Sequence, residues 1–534
     1  MLGGCFVMLN KKRIVRYLCV LFLVAVALIF FRYDIKILLN KLDNGDYANR
    51  KELTEEEKME DFEYLYETLV NSIPMIDKYE ELFQISFRER KDYYKELVKS
   101  THTDFEFFCV IEAMINDIPS FHTDLVSPYS IDGLRCYNGK KIRADVGNDN
   151  KYWQELIQQE CRKAIGREFY CFSYIDGEYV FNTIESSNEK LDWNEKYILV
   201  AVEGMDVGTY VKYGISTYPL SYDGKNKISY RENMVFNDVE GTKVSLKLQK
   251  EDGTVVCKEC FYSIYSEEIY QFKDRKKTNN EVIYVYEDEN ISYIKIDSMS
   301  ITYGEKIKES ILGLKNENVI LDLRECYGGS VNVASEYIYP ALFTEDVSIS
   351  NKWYVPNTIE NQAIEDNIIV KLKLKLKPIN ESPYSSVIER GYLVSEIEQL
   401  YNGATKKNRN VVILVSQKTG SAADRFVSVL KHNQLGTIIG NNTGGEGLME
   451  SYIAHKLPNS ELVFVYMPGG ALNPDGSDNS VYGTSPNIYV LQSYEDFCEQ
   501  LEMQEQDKNI NDYNTKRKYD TVLKYSIEYL KNLQ

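Results

Sequence analysis

Two strand–turn–helix units in the second half of the chain constrain its fold more than any other feature. In the first, the apolar run Val319 to Leu323 ends at Gly328-Gly329, and a helix follows to about Phe343. In the second, Val411 to Val415 leads through Thr419-Gly420 into a helix from Ser421 to Lys431 and then a strand at Thr437 to Gly440. Ile291 to Ile296 and Glu461 to Met467 read as further strands, and Lys306 to Leu314 as a helix. Strands alternating with helices predict an α/β sheet with crossover connections.

Upstream the pattern differs. Leu53-Thr54-Glu55-Glu56-Glu57 is a helix start with Thr54 as N-cap and Glu57 closing a capping box. Phe62, Leu65, Leu69 and Ile73 then recur at helical spacing, and Phe105 to Ile115 forms another helix before a polar turn at 116–124. From about 136 to 280 short strands dominate, with hairpin turns at Asp176-Gly177 and Asp252-Gly253 and one helix at Tyr152 to Ile165. Lys371 to Lys377 alternates lysine with leucine and closes at Pro378, the pattern of a guarded edge strand. A chain of 534 residues exceeds one ordinary core, so an α+β multidomain protein is expected.

Charge and cysteines narrow the partners. A formal net charge of −19 excludes a nucleic-acid-binding role, which needs a basic surface. Cys257-Lys-Glu-Cys260 has metal-like spacing, but neither a second pair nor nearby histidines follow, so no metal and no cofactor are expected. At the N-terminus, Lys11, Lys12, Arg13 and Arg16 precede the uncharged run Tyr17 to Phe31. Fifteen helical residues span about 22 Å against roughly 30 Å of hydrocarbon, and Ile14, Val15 and snorkelling arginines extend the reach. Ala25-Val26-Ala27 resembles a signal-cleavage site, yet Leu28 to Phe31 continue the apolar core past it. The expectation is a single-pass cell-membrane anchor with the basic flank in the cytoplasm and the rest of the chain extracytoplasmic.

Two segments could carry chemistry. Ser421 opens a helix, where free backbone N–H groups and the dipole favour developing negative charge. A serine there is ordinarily a helix cap. Asp322-Leu-Arg324 running into Gly328-Gly329 lets backbone N–H groups face a ligand, although a plain glycine turn explains it equally.

Ile320-Leu-Asp-Leu-Arg324 with Gly328-Gly329, and Thr419-Gly-Ser421-Ala-Ala-Asp424, resemble motifs of the tail-specific, or C-terminal-processing, serine proteases. Thr437-Ile-Ile-Gly440, Thr443-Gly-Gly445, Leu457-Pro-Asn-Ser460 and Gly483-Thr-Ser-Pro486-Asn487 follow in that family's order, so the likeness covers roughly 285–492. The resemblance implies a crotonase-like spiral ββα catalytic domain over 281–500, behind a PDZ-like module at 136–280. The remaining parts would be a tail and transmembrane anchor (1–33), an N-terminal helical region (34–135) and a C-terminal helix (501–534). It also implies a peptide or unfolded-protein substrate, with Gly328, Gly329 and Ala422 as backbone oxyanion donors.

One departure matters. The better-known branch places a lysine base 25 positions after the serine, and here that position is Glu446, in Thr443-Gly-Gly-Glu446-Gly447. A carboxylate cannot replace a neutral amine, so no Ser-Lys dyad is available. A tricorn-core-like branch takes a histidine from the N-terminal part of the chain. His122, in Ser120-Phe-His122-Thr-Asp124, matches that turn, with Phe121 where serine or glycine is usual. Of the other histidines, His432 lies three helical turns (about 16 Å) from Ser421, and His102 and His455 have no assigned role.

That branch supplies its acid late, but Asp475-Gly-Ser-Asp478-Asn-Ser480 holds no glutamate. Asp478 and Asp475 are candidates, Glu446 is another, and Ser480 can stand in the acid's place. Asp424 is read as support for its helix. The resulting expectation is a serine-type endopeptidase with Ser421 as nucleophile and His122 as base. The alternatives are an inactive descendant binding extended peptides or small ligands, and a crotonase-type acyl-CoA enzyme. An extracytoplasmic location argues against the latter.

Overall fold

The computed structural model describes residues 52–131, 148–164, 169–184, 196–214, 216, 218–237, 243–262, 282–356, 385–389, 392–401, 407–446, 452–506 and 508–533. The anchor expected at 17–31 and the lysine-rich strand expected at 371–377 lie outside them. Among the described residues no helix is long and apolar enough to cross a membrane.

Four helices begin the described chain: α1 (Glu55–Ser72), α2 (Ile76–Phe83), α3 (Lys91–Lys99) and α4 (Asp104–Ile115). α1 starts as the capping box requires, with Thr54 Oγ1 accepting from Glu57 N–H at 3.2 Å and Glu57 Oε2 accepting from Thr54 N–H at 2.8 Å. Thr103 and Glu106 repeat the device at α4. Phe62, Leu65, Leu69 and Ile73 are buried together with the apolar faces of the next three helices. Beyond α4 the chain turns, and Asp124-Leu125 pairs antiparallel with Val465 and Phe464. This short ladder pins the loop carrying His122 to the far half of the chain.

The β-rich region folds into a seven-stranded sheet whose spatial order is 178–184, 169–175, 233–237, 255–262, 243–250, 197–202 and 205–206. Both expected hairpins are present. Cys257 is exposed and Cys260 buried on the same strand, so the pair does not face one ligand.

The expected α/β sheet has six strands in sequence order: β1 (Ile283–Glu287), β2 (Ile291–Ile296), β3 (Asn318–Asp322), β4 (Asn410–Val415), β5 (Thr437–Gly440) and β6 (Ile488–Tyr489). β1 is antiparallel to β2, and the other pairings are parallel. Alternate residues serve opposite layers, as a pleated strand demands. Val319, Leu321, Val411 and Ile413 meet α5 (Ala422–His432) and the helices at 304–313 and 331–342. Ile320, Val412, Leu414 and Ile439 meet Tyr513 and α6 (Thr521–Lys531). Covered on both faces, the sheet fixes where the ends of β3 and β4 point, and both candidate turns leave from those ends. The chain is thus multidomain α/β.

Candidate active site

β4 ends at Val415, and Ser421 lies at the junction with α5. Its backbone has φ +52° and ψ −127°, a conformation that costs a residue with a side chain on the order of 1–3 kcal/mol. Neighbouring turns hold it there. Ser421 N–H donates to Gly445 O at 3.0 Å and Gly420 N–H to Cys326 O at 3.2 Å, while Thr419 Oγ1 donates to Leu323 O at 2.9 Å. The Ser421 side chain makes no capping hydrogen bond. The ordinary duty of a serine at a helix start is therefore not performed, and Oγ is left for other work.

Gly328 packs directly on this turn. With φ +98°, it would place a Cβ 2.7 Å from Gly420 O, 2.8 Å from Ser421 Cβ and 2.9 Å from Ala422 N. Only glycine lets the two turns approach so closely. Ala422 N–H, the first amide of α5, has no acceptor among the described residues, and a free amide at a helix N-terminus suits an anion. Burial pushes the nearby Cys326 thiol up to about 12, with the backbones of Gly328 and Met299 acting against it.

His122 comes to the same place from the loop after α4. Its Nδ1 lies 2.9 Å from Glu446 Oε2, and its backbone N–H donates to the same oxygen at 2.7 Å. The other carboxylate oxygen, Oε1, accepts from Ser120 Oγ at 2.7 Å and from Tyr79 OH at 3.4 Å. Glu446 is fully buried and has φ +58°. The link to Ser421 is short: Ser421 is bonded to Gly445, and the next residue is bonded to His122. Phe121 closes the arrangement, because a Cβ on Gly420 would meet its ring at 2.2 Å. The Phe121 ring also stands edge-on to His122 at 5.7 Å and stacks on Tyr327 at 6.0 Å.

The structure thus brings together Ser421, His122, Glu446, Gly328 and Ala422, with Gly329 beside them at a bridge to Met299. It does not bring Asp478 to His122, and that candidate is corrected. The Asp478 carboxylate takes the ammonium of Lys78, the hydroxyl of Tyr354 at 2.5 Å and the Ser480 amide at 3.2 Å. Asp475 bonds Ser477 instead. Ser480 uses its hydroxyl on Ala471 N–H at 3.1 Å and its carbonyl on Tyr79.

Asp424 does more than support a helix. It accepts from Thr443, from Thr484 at 2.7 Å and from Asn479 at 2.8 Å, tying α5 to the turns around it. His432 ends α5 as expected, and His455 meets Tyr64 OH at 2.8 Å, away from Ser421. Sequence reasoning missed the roles of Tyr79 and Ser120. Ser120 could have been flagged as a hydroxyl two positions before His122, whereas nothing local marks Tyr79.

A cleft of about 730 Å³ runs between this site and the β-rich region, with Phe121, Tyr327, Lys418, Tyr218, Leu220 and Glu232 in its walls. Lys418 spans it, 2.8 Å from Glu232 and 3.6 Å from Glu325. Among the described residues no cluster of three or more His, Cys, Asp or Glu side chains could hold a metal.

Residues 290–490 match the sequence model of peptidase family S41. No curated protein matches the chain. Among solved structures, mature CPAF complexed with lactacystin is 12% identical with a TM-score of 0.49, covering 90% of this chain and 97% of its own. The photosystem II D1 C-terminal processing protease is 12% identical with a TM-score of 0.33, covering 81% and 93%. The tricorn protease is 14% identical with a TM-score of 0.31, covering 90% and 37%. The ordered motifs from Ile320 to Asn487 fall inside the matched segment, so the motifs and the family model mark the same stretch of the chain as similar to peptidase family S41.

Proposed function

We propose that the chain is a serine endopeptidase acting through an acyl-enzyme, with Ser421 as nucleophile, His122 as general base and Glu446 as the acid that orients it. The observation that carries this reading is the Glu446 Oε2 to His122 Nδ1 contact at 2.9 Å, one residue from the Gly445 carbonyl that holds Ser421. With Nδ1–H donated to the carboxylate, Nε2 is left unprotonated and able to accept the Ser421 proton.

Ser421 Oγ then bonds the peptide carbonyl carbon while its proton passes to Nε2, and the carbonyl π electrons move to oxygen. Ala422 N–H and a glycine amide at 328–329 stabilise that oxyanion. Removing one such donor typically costs about 2.7–4 kcal/mol. Collapse breaks the C–N bond, and the leaving amine takes the proton from His122. Water repeats the sequence on the acyl ester and returns the proton to Ser421. Glu446 occupies the place of the better-known branch's lysine, so the triad reading replaces a dyad.

An extended or unfolded peptide is the substrate class that fits a site reached beside an open cleft. The apolar run Tyr17 to Phe31 behind Lys11, Lys12, Arg13 and Arg16 supports a membrane anchor with the catalytic part extracytoplasmic. A fluorophosphonate probe tests the mechanism. Wild type should label at Ser421, Ser421→Ala should not, and His122→Ala should label at least 10²-fold more slowly, on the order expected for loss of a triad member. An unlabelled wild type would instead favour the inactive, peptide-binding alternative.

A further inference from the structure

Glu446 makes its two oxygens unequal. Among the described residues Oε2 serves His122 alone, through the ring and the backbone amide. Oε1 is held from the opposite side by Ser120 Oγ at 2.7 Å and Tyr79 OH at 3.4 Å. A carboxylate turns freely about its last torsion unless both ends are tethered. Here the Oε1 donors set that torsion, and hence where Oε2 stands relative to the imidazole.

Tyr79 is itself anchored. Its hydroxyl donates to Ser480 O at 2.9 Å, so one proton is shared between the carbonyl and the carboxylate. Its ring is buried against Phe83 in the core of the helical region. Lys78, the preceding residue, grips Asp478. Two consecutive side chains of α2 therefore reach the 478–480 segment, and one of them also reaches Glu446. Burial, with Glu446 and Asp478 adding to it, pushes the Tyr79 hydroxyl well above its ordinary value and keeps it a donor.

We propose that Tyr79 and Ser120 are positioning residues for the reaction, clamping Glu446 Oε1 so that Oε2 faces His122 Nδ1, and that α2 is thereby part of the catalytic apparatus. This rests on the Ser421–His122–Glu446 reading. The buried Tyr79 hydroxyl thus reaches the acid from a helix about 340 residues before Ser421, while its bond to Ser480 O holds it in place.

Tyr79→Phe and Ser120→Ala each delete one hydroxyl, and the test is made in two backgrounds, wild type and Glu446→Gln. The readouts are kcat and KM on an unstructured fluorogenic peptide and the rate of fluorophosphonate labelling. In the wild-type background each variant should lose about 5- to 30-fold in kcat and in labelling rate, with KM within about 2-fold. In the Glu446→Gln background neither should lose more than about 2-fold further, because the carboxylate that they aim at His122 is gone. A residue that merely supports folding would lower activity equally in both backgrounds, and that result overturns the proposal. So does wild-type kcat in both variants. If Tyr79→Phe fails to fold, Ser120→Ala decides the matter alone. Labelling of His122→Ala and Glu446→Gln at the wild-type rate would instead remove the underlying triad, an outcome that neither hydroxyl variant can mimic.

Discussion

Glu446 Oε2 accepts from both the backbone N–H and Nδ1 of His122, at 2.7 and 2.9 Å. The amide hold fixes where the loop sits, and the ring hold fixes which nitrogen carries the proton. Glu446→Gln keeps the shape but removes the charge that stabilises an imidazolium, and its amide can present a donor to Nδ1. Peptide hydrolysis should fall by about 10²–10⁴-fold in kcat/KM, with the thermal unfolding midpoint retained. Steady-state kinetics beside a thermal melt checks both halves.

Gly328→Ala should disable the site with the sheet intact. The new Cβ would meet Gly420 O, Ser421 Cβ and Ala422 N at 2.7–2.9 Å, in a backbone conformation that alanine resists. The Ser421 turn must yield, and probe labelling should drop by 10²-fold or more, about the effect of losing an oxyanion donor. Gly313→Ala is the control, since a Cβ there meets nothing within 4 Å. It should label like wild type. Equal labelling of both variants would show that contact between the two turns is dispensable.

The α/β half was legible because its strands are short apolar runs with sharp ends. Ile291–Ile296 and Thr437–Gly440 were read to the residue, and Asn318–Asp322 and Asn410–Val415 within one. Thr54 and Glu57 announced α1 for the same local reason. α2 and α3 escaped, being 8 and 9 residues long with no side-chain cap. So did the sheet formed by 347–356, 385–389, 392–401 and 470–472, which joins one hairpin to strands far from it in sequence. Ser421 and His122 could be singled out from motifs. The choice of Glu446 over Asp478 could not, because it depends on a contact spanning 324 positions and on Lys78 and Tyr354 occupying the rival carboxylate. Local pattern names the groups, and packing decides which of them meet.

Arg324 fastens the C-terminal helices under the sheet, so stability should fall with acid in a predictable window. Its guanidinium donates to Asp322 at 2.7 and 2.9 Å and to Asp520 at 2.7 and 2.9 Å. Burial opposes ionisation of Asp322, but Arg324 outweighs it and holds the carboxyl well below its ordinary 3.8. A depressed folded pKa contributes stability that is complete above the unfolded value and lost as pH falls through the folded one. The contribution should therefore be whole at pH 7 and should decline progressively below about pH 4. Arg324→Met leaves two buried carboxylates unpaired and should cost about 3–5 kcal/mol at pH 7. Urea unfolding at pH 7 and pH 3.5 measures this, and the variant should lose less on acidification than wild type.

Asp117 joins the helical and β-rich regions five residues before His122, and the last prediction concerns that join. Its carboxylate accepts from Arg90 at 2.5 Å, from Tyr94 OH at 2.6 Å and from Arg231, all buried. The two guanidinium groups are completed by backbone carbonyls of Val211, Lys212, Tyr213 and Tyr218. Removing the one carboxylate strands two buried cations, so Asp117→Ala should cost about 3–5 kcal/mol. The loss should be felt locally as well. The amides of 118–123, which lead from this knot to His122, should exchange with solvent faster than those of the β3–β4 ladder, whose exchange should follow global stability alone. Native-state hydrogen exchange distinguishes the two. Uniform acceleration across both regions would mean that the knot holds the fold without holding the histidine loop.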